Sequence, residues 1–200
     1  MAYVLCMDEA RPSRPDWNRL FEIAAGQEGL FTTQQAAQAG YSPQLLVHYV
    51  HIERTCAFVE GIYRLVHFPA GEHEDLVSVW LWSEQAGVIS HQTALALHGL
   101  SDVLPSNIHL TLPMAWRYRR FRVPIGVVLH HGDVLLKERT WFGGVTTTNP
   151  QRTLNDCARN SLSPELLQQA AQQALRRGLV TKTELGDVDA ALGPCGGLAA

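Results

Sequence analysis

The chain has 200 residues, 46% of them hydrophobic and 18% charged, and a net charge of -3. That composition builds a real core, in one large domain or in a small domain followed by a medium one, and we read two. It excludes a membrane span, because no run of about 18 apolar residues occurs. It also argues against a protein that coats nucleic acid regardless of sequence, since such binding comes from many cations neutralising phosphates.

Residues 1–15 lack periodicity and carry Pro12 and Pro15, and the apolar run at 3–7 is too short for a secretory signal and ends in acids rather than a cleavage site. A loose tail is predicted there. Cys6, Cys56, Cys157 and Cys195 are scattered with no C-x-x-C pair, which suggests neither a zinc site nor a disulfide framework. A reducing cytoplasm is the simplest location for such a chain.

After an Asp16 cap, Trp17, Leu20, Phe21, Ile23 and Ala24 recur at helical spacing until Gly26 and Gly29 close the helix. Thr32 or Thr33 caps a short helix over 34–39, whose small Ala36 suits close packing. In "AGYSPQLLVHYV", Gly40 supplies a left-handed stop, and Ser42 with Pro43 supplies a new cap and first position. That spacing matches a helix-turn-helix, with an ordinary helical hairpin as the alternative. On the restarted helix, 43–53, Leu45, Leu46, Tyr49, Val50 and Ile52 are predicted to face the core. Gln44, Val47, His48 and His51 then face outward, with Arg54 at the end. Gln pairs two ways with an adenine edge, and His or Arg meets phosphate or guanine, so Ser42, Gln44, His48, His51 and Arg54 are candidate DNA contacts. Solvated histidines are the alternative.

"CAFVEGIYRLVHFP" places Glu60-Gly61 between two β-prone runs, a hairpin that would complete a winged helix over 16–70. Tyr63 and Arg64 lie just past its tip, where a wing rests on phosphates or the minor groove. Mere completion of the core is the other reading of the hairpin.

Beyond a short connection at 69–71, Leu76, Val77, Val79, Trp80 and Leu81 predict a buried helix with Glu74 and Asp75 in its first turn. A short strand at 88–89 leads to Ser90, expected to cap a helix over 91–98 that stops at Gly99. No elbow glycines flank Ser90, so it is not read as a nucleophile. Strands are predicted at 107–112, 126–130 and 144–147. Asn149 and Pro150 open a helix with Leu154 and Ala158 inward, and further helices follow at 164–177 and 181–192, separated by Gly178. The fold class is therefore α+β: an N-terminal winged helix-turn-helix, then a mixed α/β domain with a small sheet.

Between 107 and 139 six cations, Arg117, Arg119, Arg120, Arg122, Lys137 and Arg139, face only Asp133 and Glu138, whereas 16–65 is nearly balanced. In "WRYRRFR" the arginines interleave with aromatics, a pattern suited to nucleic-acid backbones and stacked bases. If extended, the tract puts Arg117 and Arg119 with Phe121 on one side and Trp116, Tyr118, Arg120 and Arg122 on the other. It is read as an auxiliary contact to DNA phosphates; an acidic protein partner and a charged edge strand are the alternatives.

A search for chemistry finds no phosphate-cradling G-x-x-x-x-G-K-S/T, and no acid two places before Lys137, where Leu135 stands. His130-His131-Gly132-Asp133 is the most metal-like cluster, but adjacent histidines on a strand point to opposite faces. His91 and His98 lie two helical turns apart, about 10 Å, too far to share an ion. His91 is expected to help fix a helix start, His98 to meet the helix dipole, and Arg152 to tie the 149–150 turn to a nearby carbonyl. No catalytic residue, metal or cofactor is expected.

The order of the predicted winged helix, "SHQTALALHGL", "IHLTLP" and "GVTTTNPQRTLNDCA" resembles the AbiEi family over 17–192. That family comprises antitoxins and transcriptional repressors of type IV toxin-antitoxin systems. The resemblance implies a winged helix at 16–70 that binds inverted repeats in operator DNA upstream of its own operon. It also implies an antitoxin domain at 71–192 that counteracts a nucleotidyltransferase-like toxin, followed by a flexible end at 193–200. The predicted recognition helix holds no Lys or Arg before Arg54, so affinity would lean on Arg64, Arg19 and the later arginines. The runner-up is a protein-interaction module that neutralises a toxin without choosing a DNA site; an enzyme of unrecognised chemistry is a third reading.

Overall fold

The computed structural model describes residues 14–102, 105–160, 162–193 and 197. Those residues form eight α-helices and two small sheets, a mixed α+β fold divided into two units between Glu74 and Asp75. Among them no helix is long and apolar enough to cross a membrane. The predicted tail at 1–15 falls almost wholly outside the described residues, as does most of 193–200.

In the first unit, Asp16 accepts the backbone N–H of Arg19 and opens α1 (Trp17–Ala25), which buries Leu20 and Ala24. The chain turns through Glu28 and Gly29, both at positive φ; a side chain at Gly29 would come within 2.7 Å of the Phe68 ring. Strand β1 (Leu30–Thr32) leads into α2 (Thr33–Gln38). Thr32, rather than Thr33, is the cap, and it and Gln35 satisfy each other's backbone N–H groups. Gly40 at φ +85 reverses the chain, and Ser42 caps α3 (Pro43–His51) by accepting the N–H of Leu45. Strands β2 (Thr55–Val59) and β3 (Ile62–Leu65) then form a hairpin. The sheet is antiparallel in the order β1-β3-β2, so β1, far away in sequence, closes on the hairpin's second strand. Leu20, Ala24, Phe31, Ala36, Tyr41, Leu46 and Leu65 make the shared core.

Helix α4 (Glu74–Trp82) starts at the last residue of the first unit and, within the second, buries five apolar residues. The sheet of the second unit is mixed, in the order β6-β5-β4-β8-β7, from β4 (Val88–Ile89), β5 (Ile108–Leu112), β6 (Val127–His131), β7 (Arg139–Phe142) and β8 (Val145–Thr148). Strands β4 and β5 are antiparallel, whereas β5 and β6 are parallel and in register from Ile108 opposite Val127 to Leu112 opposite His131. Helix α5 (His91–Leu97) follows β4, and α6 (Pro150–Arg159), α7 (Pro164–Arg176) and α8 (Gly186–Leu192) follow β8. Leu95, Leu100, Leu154, Leu167, Ala170, Ala174, Val188 and Leu192 join these helices in one core.

Several local expectations need correction. Strand β7 was not anticipated, because "RTWF" opens with Arg139 and has too little alternation to register. Residues 181–192 do not make one helix: a 3₁₀ turn at Lys182–Glu184 precedes α8, with Leu185 buried at the break. The 116–122 tract is not extended. It leaves a 3₁₀ turn at Met114–Trp116 and continues without regular structure, so the two-sided alternation of arginines does not hold. Ser90 precedes α5 without a side-chain capping bond.

Candidate functional site

Local chemistry decides which face α3 shows. Its buried residue is Leu46, with Leu45 and Tyr49 packed partly against the core. Helical spacing then leaves Ser42, Gln44, Val47, His48 and His51 exposed. The inward face is narrower than the sequence suggested, since Ile52 is also exposed. His51 is held by Nδ1 against the carbonyl of Val47 at 2.7 Å. Arg54 leaves the helix end and lies over the rings of Trp17 and Tyr49, 5.6 and 5.9 Å from their centroids. Those two rings are themselves stacked at 5.7 Å, so Arg54 is aimed by aromatic packing while its charge remains exposed.

The two hairpin candidates are placed differently. Tyr63 stacks on Phe31 at 5.9 Å. Arg64 pairs with Glu74 at 2.9 Å and donates to the Phe68 carbonyl at 3.3 Å. Both side chains are half-buried and brace the unit, while the exposed end of the hairpin is Phe58, Val59, Glu60 and Gly61.

In the arginine tract, Arg117, Arg120 and Arg122 are exposed. Arg119 is engaged: it pairs with Glu84 and lies 4.3 Å from the centroid of the Trp116 ring. Phe121 packs edge-on against Trp82 at 5.2 Å. The tract is therefore anchored at Arg119 and Phe121 and presents three unpinned guanidinium groups.

Sequence reasoning missed one constellation. His91, His109 and His130 each offer a ring nitrogen, and the three atoms lie within 4.8 Å of one another. The sheet brings them together. His109 on β5 stands opposite Val128 on β6, so His130, two residues on, projects from the same face. On the other side of β5, the N–H of Ser90 donates to the His109 carbonyl at 3.0 Å, and His91 follows Ser90. The rings are nearly parallel: His91 and His130 stack with centroids 3.6 Å apart, and His109 and His130 at 5.2 Å. Nδ1 of His109 and Nε2 of His130 are 3.0 Å apart. Nδ1 of His91 is 2.9 Å from Ser90 Oγ, which also accepts from Thr111 Oγ1 at 2.7 Å.

Burial, reinforced by the neighbouring histidines, lowers His91 to about 3 and His130 to about 4, and burial lowers His109 as well. His91 also begins α5 at φ +52, a left-handed conformation that favours glycine.

Two other side chains depart from expectation. His98 does not meet the helix dipole as a cation; its Nε2 donates to the Thr148 carbonyl at 2.7 Å, and burial lowers its pKa. Arg152 does more than tie a turn: it pairs with Asp156 at 2.8 Å and Glu138 at 3.0 Å, linking α6 to the segment before β7.

No protein-family model matches the chain, and no curated protein matches it. Among solved structures it is similar to the RV2827C protein from Mycobacterium tuberculosis, at 14% identity over 90% of this chain and 77% of that chain, with a TM-score of 0.43. No family membership follows from a likeness of that size.

Proposed function

We propose that residues 16–70 form a winged helix-turn-helix that binds operator DNA, and that the protein is an autorepressor and antitoxin like those of the AbiEi family. The observation that carries this reading is the exposed row of Ser42, Gln44, His48 and His51 along α3. It follows a tight Gly40 to Ser42 turn and stands beside a hairpin to which β1 adds a third strand. A helix so presented enters a major groove with base-reading side chains outermost, and Arg54 meets the backbone at its end. Arg117, Arg120 and Arg122 supply further phosphate contacts, as the net charge of -3 requires that cations be concentrated locally.

The test is a binding titration with the DNA upstream of its own operon. Replacing Gln44 and His48 together by alanine is expected to weaken binding at least tenfold, a loss of about 1–3 kcal/mol per good base contact. Thermal stability should stay within about 0.5 kcal/mol, as for exposed substitutions. Unchanged affinity would remove α3 from the DNA.

A protein-partner reading is favoured by a different feature. Strand β7 is an edge of its sheet, and Trp141 on it and Leu136 just before it are 68% and 85% exposed. An edge strand whose tryptophan is largely exposed, resting only edge-on against Trp80, suits docking of another protein. In the antitoxin reading that partner is the nucleotidyltransferase-like toxin.

A further inference from the structure

We propose that His91, His109 and His130 form a binding site for a divalent transition-metal ion of the zinc class, each residue contributing one imidazole nitrogen. The site is independent of the DNA-binding reading.

The donor chemistry selects the ion. Three imidazoles with no carboxylate among them suit zinc, copper, nickel or iron and not calcium or magnesium, which need oxygen ligands. Three protein nitrogens leave the fourth position of a tetrahedral zinc to water.

The donor separations fit, while the parallel stack of the rings has to open for their in-plane lone pairs to converge on one ion. Zinc–nitrogen bonds of about 2.0–2.1 Å place tetrahedral donors roughly 3.3 Å apart. His109 Nδ1 and His130 Nε2 already stand 3.0 Å apart, and all three donor atoms lie within 4.8 Å. To bind an ion, His91 therefore has to turn about its side-chain bonds and leave its face-to-face stack on His130. Its Nδ1, held on Ser90 Oγ, leaves Nε2 as the nitrogen to offer, and a donor–oxygen contact of this kind is how metal-bound imidazoles are commonly oriented. Thr111 Oγ1 fixes Ser90 in turn.

Two further observations bear on the site. His91 is held at φ +52 at the start of a helix, a strained conformation that persists where the surroundings demand it. The Arg152 guanidinium, whose charge is felt at His91, is paired with Asp156 and Glu138, which offset it toward an incoming cation.

The experiment uses the full chain stripped with chelator. Zinc titration by calorimetry and cobalt titration by visible absorption are expected to give one ion per chain, with the intense bands of tetrahedral cobalt. His109→Gln and His130→Gln are each expected to lose more than the roughly 10–100-fold that removal of an outer partner costs. His131→Gln, the neighbour whose strand position points to the opposite face, should bind as wild type. Absence of binding by the wild type, or wild-type affinity in both glutamine variants, overturns the proposal. If those variants fail to fold, imidazole ¹⁵N shifts of the wild type decide. Zinc must move the resonances of His91, His109 and His130; movement confined to the other histidines overturns it.

Discussion

Arg64 and Glu74 are ion-paired at 2.9 Å, with Arg64 also bonded to the Phe68 carbonyl, so a cation that lies just past the tip of a hairpin is turned into its own unit. Arg64→Ala should therefore cost stability rather than DNA affinity. Both side chains are largely buried, and removal of one partner leaves Glu74 short of a counter-charge, a loss of about 1–3 kcal/mol by urea denaturation. The slope of log affinity against log salt should not change. A slope lower by about one would place Arg64 on a phosphate after all.

The arginine tract makes the opposite prediction. Arg117, Arg120 and Arg122 are unpinned, whereas Arg119 is committed to Glu84 and Trp116. Alanine at each of the first three should reduce the salt slope by about 0.9, and alanine at Arg119 should reduce it less. Equal effects at all four would show that the Glu84 contact opens when DNA binds.

His98 gives a pH dependence that can be isolated. Burial lowers its folded pKa below the ordinary 6.5, so the native state favours the neutral ring that donates to Thr148. The stabilisation is present above about pH 6.5 and is lost as pH falls through the folded pKa, because the unfolded chain then binds the proton more readily. His98→Gln keeps an amide donor and removes the titration. In the presence of chelator, the stability gap between wild type and variant should narrow as pH drops from 7.5 to 5. A constant gap would mean that His98 does not titrate differently in the folded state.

Cys157 is buried on α6, and burial followed by the nearby Asp156 carboxylate pushes its thiol up to about 12. Cys56 is exposed on β2. Alkylation of the native chain with peptide mapping should label Cys56 within minutes and leave Cys157 unmodified until denaturant is added, because the thiolate is the reacting species. Native labelling of Cys157 at a comparable rate would show that α6 opens readily.

Much of the local architecture was legible because it depends on neighbours a few residues apart. Asp16, Ser42 and Asn149 cap helices where the sequence suggests, with Pro43 and Pro150 at first helical positions. The exposed row on α3 was equally readable, since one helical period sends Leu46 inward and Gln44 and His48 outward. What failed was anything set by a distant partner. Whether the tract around Arg119 was extended could not be read from its alternation; Glu84, 35 residues away, and Trp82 hold it as an irregular turn. The break at Leu185 arises because that side chain is drawn into the helical core.

The sequence alone determined most of the helix starts, the turn at Gly40 and the side of α3 that meets solvent, because capping and helical periodicity act over one or two turns of chain. Only tertiary structure decided which histidines meet. His91, His109 and His130 are separated by 18 and 21 residues, and neither spacing is a metal-ligand signature. They converge because β4, β5 and β6 lie side by side, and because a parallel register sends His109 and His130 out of the same face. Register is set by pairing between strands, a long-range choice that no single segment encodes.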